Sequence, residues 1–129
     1  MAKLIRAEDV LAEDLRDPEL RVEWERTAVA RAVASAILGY RIRHNLTQTA
    51  LARMLGMRQP HVARLEVGEH NPSLEMLHRL SSRLGLRFVL DVVPPPNGAR
   101  RAALAIPRGL EIVQDVTGLD GSRVLVAAG

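Results

Sequence analysis

The stretch from Thr47 to Gly68, TQTALARMLGMRQPHVARLEVG, constrains the fold more than any other, because its apolar spacing, caps and glycines suit two short helices joined by a tight turn. Leu46 precedes a hydroxyl N-cap at Thr47, and Leu51 lies four positions beyond it, which is the spacing of a hydrophobic staple. Leu51, Ala52 and Leu55 then share one helical face, where the small Ala52 lets a second helix approach closely. Gly56 turns the chain. The second helix is expected to begin near Arg58, with Pro60 in its first turn, where a missing amide hydrogen is no loss and a fixed φ suits the helix. The spacing predicts a helix-turn-helix.

Val62 and Leu65 point inward on that second helix. At about 100° per residue the opposite side carries Pro60 and Arg64, with His61 at its border and Arg58 and Gln59 at the N-terminal end. An arginine fork matches guanine edges or phosphate oxygens, glutamine can bond adenine through two atoms, and a helix N-terminus favours phosphate. The set suits the major groove of duplex DNA. Taken alone, the same face serves equally well as the solvated side of a polar helix.

The pattern T-Q-x-x-L-A-x-x-x-G-x-x-Q-x-x-V-x-x-L-E-x-G, from Thr47 to Gly68, resembles the Xre and Cro family of repressor domains. With Asn71-Pro72-Ser73-Leu74, Leu77, Arg79-Leu80 and Leu84-Gly85 the resemblance extends over residues 36 to 93 and is most similar to HigA-type antitoxins of toxin-antitoxin operons. It implies a mainly α, lambda-repressor-like bundle that binds operator DNA as a homodimer. It further implies a phosphate contact at Gln48 and a base contact at Gln59, with Arg58, Pro60, His61 and Arg64 at the groove, and an internal pair between Arg41 and Glu66. Asn45 stands where the family usually has glycine; asparagine also tolerates the left-handed conformation that ends a helix.

A chain of 129 residues with 47% hydrophobic content holds one domain of ordinary size plus arms. The lack of cysteine excludes disulfides and thiolate zinc sites and fits a reducing, cytoplasmic setting. Arg6, Glu8 and Asp9 interrupt the apolar pair Leu4-Ile5, so no secretory leader is expected, and no run reaches the roughly 20 apolar residues of a membrane span. The formal charge of +3 hides an asymmetry: residues 1–27 carry −3, residues 28–90 carry +6, and residues 91–129 are balanced. A basic middle beside an acidic arm fits a phosphate-binding module with a separate partner surface, although charge alone is equally consistent with solvation.

These shifts divide the chain into an acidic N-terminal arm (1–27), a helix-turn-helix domain (28–93), a proline-rich linker (94–98) and a tail (99–129). A short helix is expected from Glu8 to Arg16. From Pro18, the spacing of Leu20, Trp24, Val29, Val33, Ile37 and Tyr40 predicts one long helix, or two with a kink near Thr27, running to about His44. Its acidic first half is expected to project from the domain, carrying Trp24, Glu19 and Glu23. Ser73 should cap a helix with the apolar stripe Leu74, Leu77, Leu80 and Leu84, ended by Gly85. Leu86 to Val93 reads as a strand with Phe88, Leu90 and Val92 on one side, and its open edge calls for pairing with a second copy or a later segment. Residues Leu110 to Val116 and Arg123 to Ala128, separated by Thr117-Gly118-Leu119-Asp120-Gly121, form a candidate hairpin.

His44, His61, His70 and His78 lack metal-binding spacing, and the pairs Glu8-Asp9 and Glu13-Asp14 read as solvated helix charges. No phosphate loop or nucleophile elbow occurs, so neither catalytic nor metal residues nor a cofactor are expected. The leading expectation is an antitoxin that represses its own operon and neutralises a RelE/HigB-like ribonuclease toxin, bound through Glu19, Glu23 and Trp24. The alternatives are a stand-alone Xre-family repressor without a toxin, and a domain that has kept the fold and lost DNA binding.

Overall fold

The computed structural model describes residues 7–96 and 105–129. Among the described residues, six helices precede a three-stranded sheet: α1 (Ala7–Asp14), α2 (Pro18–Arg26), α3 (Ala28–Arg43), α4 (Gln48–Leu55), α5 (Gln59–Val67), α6 (Leu74–Leu84), β1 (Phe88–Val93), β2 (Glu111–Thr117) and β3 (Arg123–Ala128). Asn97 and Gly98 of the expected linker, residues 99–104 of the tail and residues 1–6 of the arm lie outside the described residues.

The helix boundaries follow local chemistry. Asp17 caps α2 by accepting from the Glu19 N–H at 2.9 Å, and Pro18 stands in its first turn. Thr47 accepts from Ala50 N–H at 3.0 Å, and Ser73 from Met76 N–H at 3.1 Å. Asn45 closes the region after α3 with φ 51°, the left-handed conformation that asparagine tolerates. Gly56 ends α4 with φ 67°. At the end of α5, Gly68 combines φ 74° with close approach to α3, since a Cβ there would stand 3.3 Å from the Ala34 methyl.

α2 and α3 are the two-helix form of the expected long helix. Thr27 breaks it with φ −101° and ψ 16°, and its hydroxyl donates back to the Glu23 carbonyl at 2.9 Å. Asn71, in the loop between α5 and α6, completes the joint: its Nδ2 donates to the Arg26 carbonyl at 2.6 Å and its Oδ1 accepts from Ala30 N–H at 3.0 Å. One amide thereby satisfies the end of α2 and the start of α3.

α3 to α6 surround a core of Val33, Ile37, Leu51, Ala52, Leu55, Val62, Leu80, Leu84 and Leu86. Full burial of each larger aliphatic side chain contributes about 1.5–3 kcal/mol. The stripe of α6 differs from expectation at one end: Leu74 is 82% exposed. It occupies the first position of α6, one turn before the layer reached by Leu77, Leu80 and Leu84.

The sheet has the order β1-β3-β2, with β3 antiparallel to both neighbours. Between the two pairings that its open edge called for, β1 takes the later segment, and the candidate hairpin forms as β2 and β3. α3 lies across β2 and β3. The acidic first half of the long helix does not project freely. Arg21 Nη2 donates to the Thr117 carbonyl at 2.7 Å, tying α2 to the turn after β2.

Candidate nucleic-acid interface

The turn between α4 and α5 sets the geometry of the site. Arg58, in extended conformation (φ −87°, ψ 150°), is the N-cap of α5 but places no side-chain acceptor on its N–H groups. Pro60 has no N–H and the His61 N–H donates to the Arg58 carbonyl at 3.0 Å, so what the start of α5 offers a phosphate is the Gln59 N–H and the positive end of the helix dipole. Pro60 lies in this first turn. Arg58, Pro60, His61 and Arg64 are exposed. Among the described residues, the Arg58, His61 and Arg64 side chains make no hydrogen bond or ion pair, so their donors remain available to an outside acceptor.

Beneath this face a polar network joins three helices. Arg41 of α3 donates to both carboxylate oxygens of Glu66 on α5, from Nε at 2.7 Å and from Nη2 at 3.2 Å. Its Nη1 also donates to the Leu46 carbonyl at 3.2 Å. Gln48, first residue of α4, donates from Nε2 to Glu66 Oε2 at 2.7 Å and accepts at Oε1 from Gln59 Nε2 at 2.8 Å. The run Arg41, Glu66, Gln48, Gln59 thus reaches from the domain interior to the first turn of α5. After these bonds Gln59 keeps one amide hydrogen and its carbonyl oxygen, the pair that adenine recognition requires, and Gln48 keeps one amide hydrogen for a phosphate.

The Arg41 and Glu66 side chains are only 22% and 10% exposed. Burial pushes the Glu66 carboxyl up, but the bonds from Arg41 and Gln48 outweigh it and hold the group below its ordinary value. The hydrogen bond to Glu66 likewise raises Arg41, so both partners stay ionised at neutral pH.

The residues expected on the partner surface lie elsewhere, along α2. Glu19 and Glu23 are exposed, and Glu23 pairs with Arg26. Trp24 is half-buried, with the Arg31 guanidinium 3.4 Å above its ring centroid. Arg31 also bonds Thr27 Oγ1 at 2.8 Å and Gln114 Oε1 at 3.1 Å, and burial lowers it to about 10. The ring of Trp24 is therefore covered by an α3 arginine that is itself anchored to Gln114 of β2. The i to i+7 spacing from Trp24 to Arg31 is a helical spacing and could have signalled the contact. The joint made by Asn71 has no such local signal, because its two backbone partners are 45 and 41 positions away.

Comparison with known proteins agrees with this geometry. Residues 37–90 match the helix-turn-helix family model. Over 82 residues the chain is 33% identical to an uncharacterized HTH-type transcriptional regulator of Haemophilus influenzae, covering 64% of this chain and 72% of that protein. This chain belongs to the Xre-like helix-turn-helix family. A second relative of this helix-turn-helix protein is the antitoxin HigA1 of Mycobacterium tuberculosis, 33% identical over 78 residues, or 59% of this chain. The chain spans about half, 52%, of that antitoxin's length. An uncharacterized HTH-type transcriptional regulator of Methanocaldococcus jannaschii is 35% identical over 49 residues, which is 38% of this chain and 74% of that protein. No solved structure matches the chain significantly. The helix-turn-helix makes it a DNA-binding regulator. Among the described residues, no helix is long and apolar enough to cross a membrane.

Proposed function

We propose that this protein is a cytoplasmic antitoxin that binds its own operator as a homodimer, represses the operon, and neutralises a small basic ribonuclease of the RelE/HigB kind. The observation that carries the DNA half is the run from Arg41 through Glu66 and Gln48 to Gln59, which holds two amide side chains at the start of an exposed helix bearing Arg58, His61 and Arg64. Gln59 and Arg64 read base edges, while Gln48 and Arg58 hold phosphates.

The toxin half is supported by the similarity to HigA1 and by the chemistry of the first two helices. Between α1 and α2 lies a groove of about 240 Å³ lined by Leu11, Leu15, Leu20 and Trp24 together with Asp14, Glu23 and Thr27. Apolar side chains mixed with two carboxylates suit a basic protein partner. The test is binding of the purified protein to its promoter DNA and to the product of the neighbouring small reading frame. Trp24→Ala should lower toxin affinity and growth rescue while promoter binding persists; unchanged rescue removes Trp24 from the partner surface. The similarity to the H. influenzae regulator favours one second reading, a stand-alone repressor. Promoter binding with no toxin in the operon or in co-purification would select it.

A further inference from the structure

The two edges of the sheet differ. β2, on one side, carries a register shift between Ile112 and Gln114 and the acidic residues Glu111 and Asp115. Bulges and charges of this kind keep an edge from pairing with other chains. β1, on the other side, reads Phe88-Val89-Leu90-Asp91-Val92-Val93, with no bulge, no lysine and no proline, and among the described residues it is paired on one side only. Its Leu90 and Val92 lie on the same side as Phe88, the residue that packs against the helical core, yet they are 40% and 72% exposed because α3 covers β2 and β3 rather than β1.

Backbone direction fixes which groups that edge offers. Arg87 N–H donates to the Gly129 carbonyl at 2.8 Å, and Gly129 N–H to the Arg87 carbonyl at 3.1 Å. Alternation from this pair turns Val89, Asp91 and Val93 toward β3 and leaves the N–H and C=O groups of Phe88, Leu90 and Val92 directed outward. We propose that the β1 edge joins a second copy of this chain, antiparallel about Leu90, to make one continuous six-stranded sheet.

In that register Leu90 faces the partner's Leu90 and Phe88 faces the partner's Val92, so all three outward residues exchange bonds, about six in total. Apolar side chains meet apolar side chains on the helix side. On the other face Arg87, exposed and without a side-chain partner among the described residues, lies diagonal to the partner's Asp91 at about 7–8 Å between backbones, within reach of its long side chain. The relation holds in both directions, so the edge is complementary to itself in charge as well as in apolar character. A two-fold axis through an antiparallel strand pair runs along the sheet normal, which puts both helical layers on the same side. This arrangement suits two recognition helices on a pseudo-palindromic site, and to that extent the inference rests on the DNA-binding reading above.

The chain has no cysteine, which makes cross-linking a direct test on the full-length protein. Leu90→Cys should form a disulfide-linked dimer on mild oxidation, because the paired Cα atoms stand about 5.5 Å apart. Val92→Cys should not, its two copies being about 14 Å apart. In sedimentation equilibrium the wild type should be dimeric. Leu90→Lys, which sets two ammonium groups face to face at an exposed site, should raise the dissociation constant about tenfold or more while the circular dichroism spectrum is retained. Arg87→Asp should weaken the dimer and Arg87→Asp with Asp91→Arg restore it. A monomeric wild type, a dimer indifferent to Leu90→Lys, or equal cross-linking at positions 90 and 92 overturns the interface. A β1-linked dimer that ignores promoter DNA would refute the DNA-binding reading and leave the interface standing. Promoter binding by a dimer indifferent to Leu90→Lys would do the reverse.

Discussion

Glu66→Gln is the change that best separates a scaffold for recognition from ordinary internal packing. The carboxylate accepts three bonds, at 2.7 and 3.2 Å from Arg41 and at 2.7 Å from Gln48. A glutamine of the same shape turns an NH2 group toward one of these donors, so at least one bond becomes a donor facing a donor, and Arg41 loses its counter-charge. A hydrogen bond to a charged group contributes about 1.5–3 kcal/mol net, and breaking a fully buried ion pair costs about 3–5 kcal/mol. Because the Arg41 side chain is 22% exposed, water can solvate part of the released charge. The expected loss is therefore near the lower range, about 2 kcal/mol, read as a lower urea midpoint with an unchanged m-value. Recognition should weaken as well. Without Glu66 to hold it, Gln48 no longer fixes Gln59, and re-immobilising two amide side chains on DNA costs about 0.5–1.5 kcal/mol each, or about 5- to 150-fold in affinity. Fluorescence anisotropy with promoter DNA measures this directly. Unchanged stability would refute the energetic reasoning; lower stability with full promoter affinity would show that the network supports the fold and does not position the site.

Three further measurements address other parts of the molecule. Glu66 is held below its ordinary 4.5 by Arg41 and Gln48 against the opposing effect of burial, so its contribution is present above about pH 4.5 and lost as pH falls through the folded value; urea titrations below pH 4.5 should show a shallower acid loss for Glu66→Gln than for wild type. Arg64→Ala should cost about 1–3 kcal/mol at the specific site and relax sequence preference, and wild-type affinity should fall linearly in log–log form with salt; equal losses on promoter and random DNA would reassign Arg64 to the backbone. Asn71→Ala removes both bonds at the α2–α3 joint, and thermal unfolding should show a loss of about 1–2 kcal/mol; no change would mean that water replaces the amide at both positions.

What could be read from the sequence was set by the distance over which each interaction acts. Thr47 and Ser73 cap helices three residues away, and Gly56, Gly68, Gly85 and Asn45 adopt a conformation their own side chains permit, so the helix-turn-helix and its boundaries were legible from neighbours alone. The Arg41–Glu66 pair came with the family resemblance rather than from spacing. The exposure of Leu74 was hidden because helical period gives a face but not how far along the helix the neighbouring layer extends. The expectation of a projecting acidic half failed for a related reason. Arg21 finds its acceptor at Thr117, 96 positions away, and Trp24 is braced by an arginine that is itself held by Gln114 of β2. The strand segments were readable, but not the order β1-β3-β2, which depends on where α3 leaves room for a sheet. The same long-range contacts link the two proposed surfaces. α2 carries the groove proposed for a toxin and is fixed at one end by Asn71, from the loop that follows α5, and near the other by the hairpin. A partner that moves α2 must strain the Asn71 joint, and through it the α5–α6 loop. That path predicts that any effect of toxin on promoter affinity is reduced in Asn71→Ala, whereas equal coupling in both proteins would show that it travels by another route.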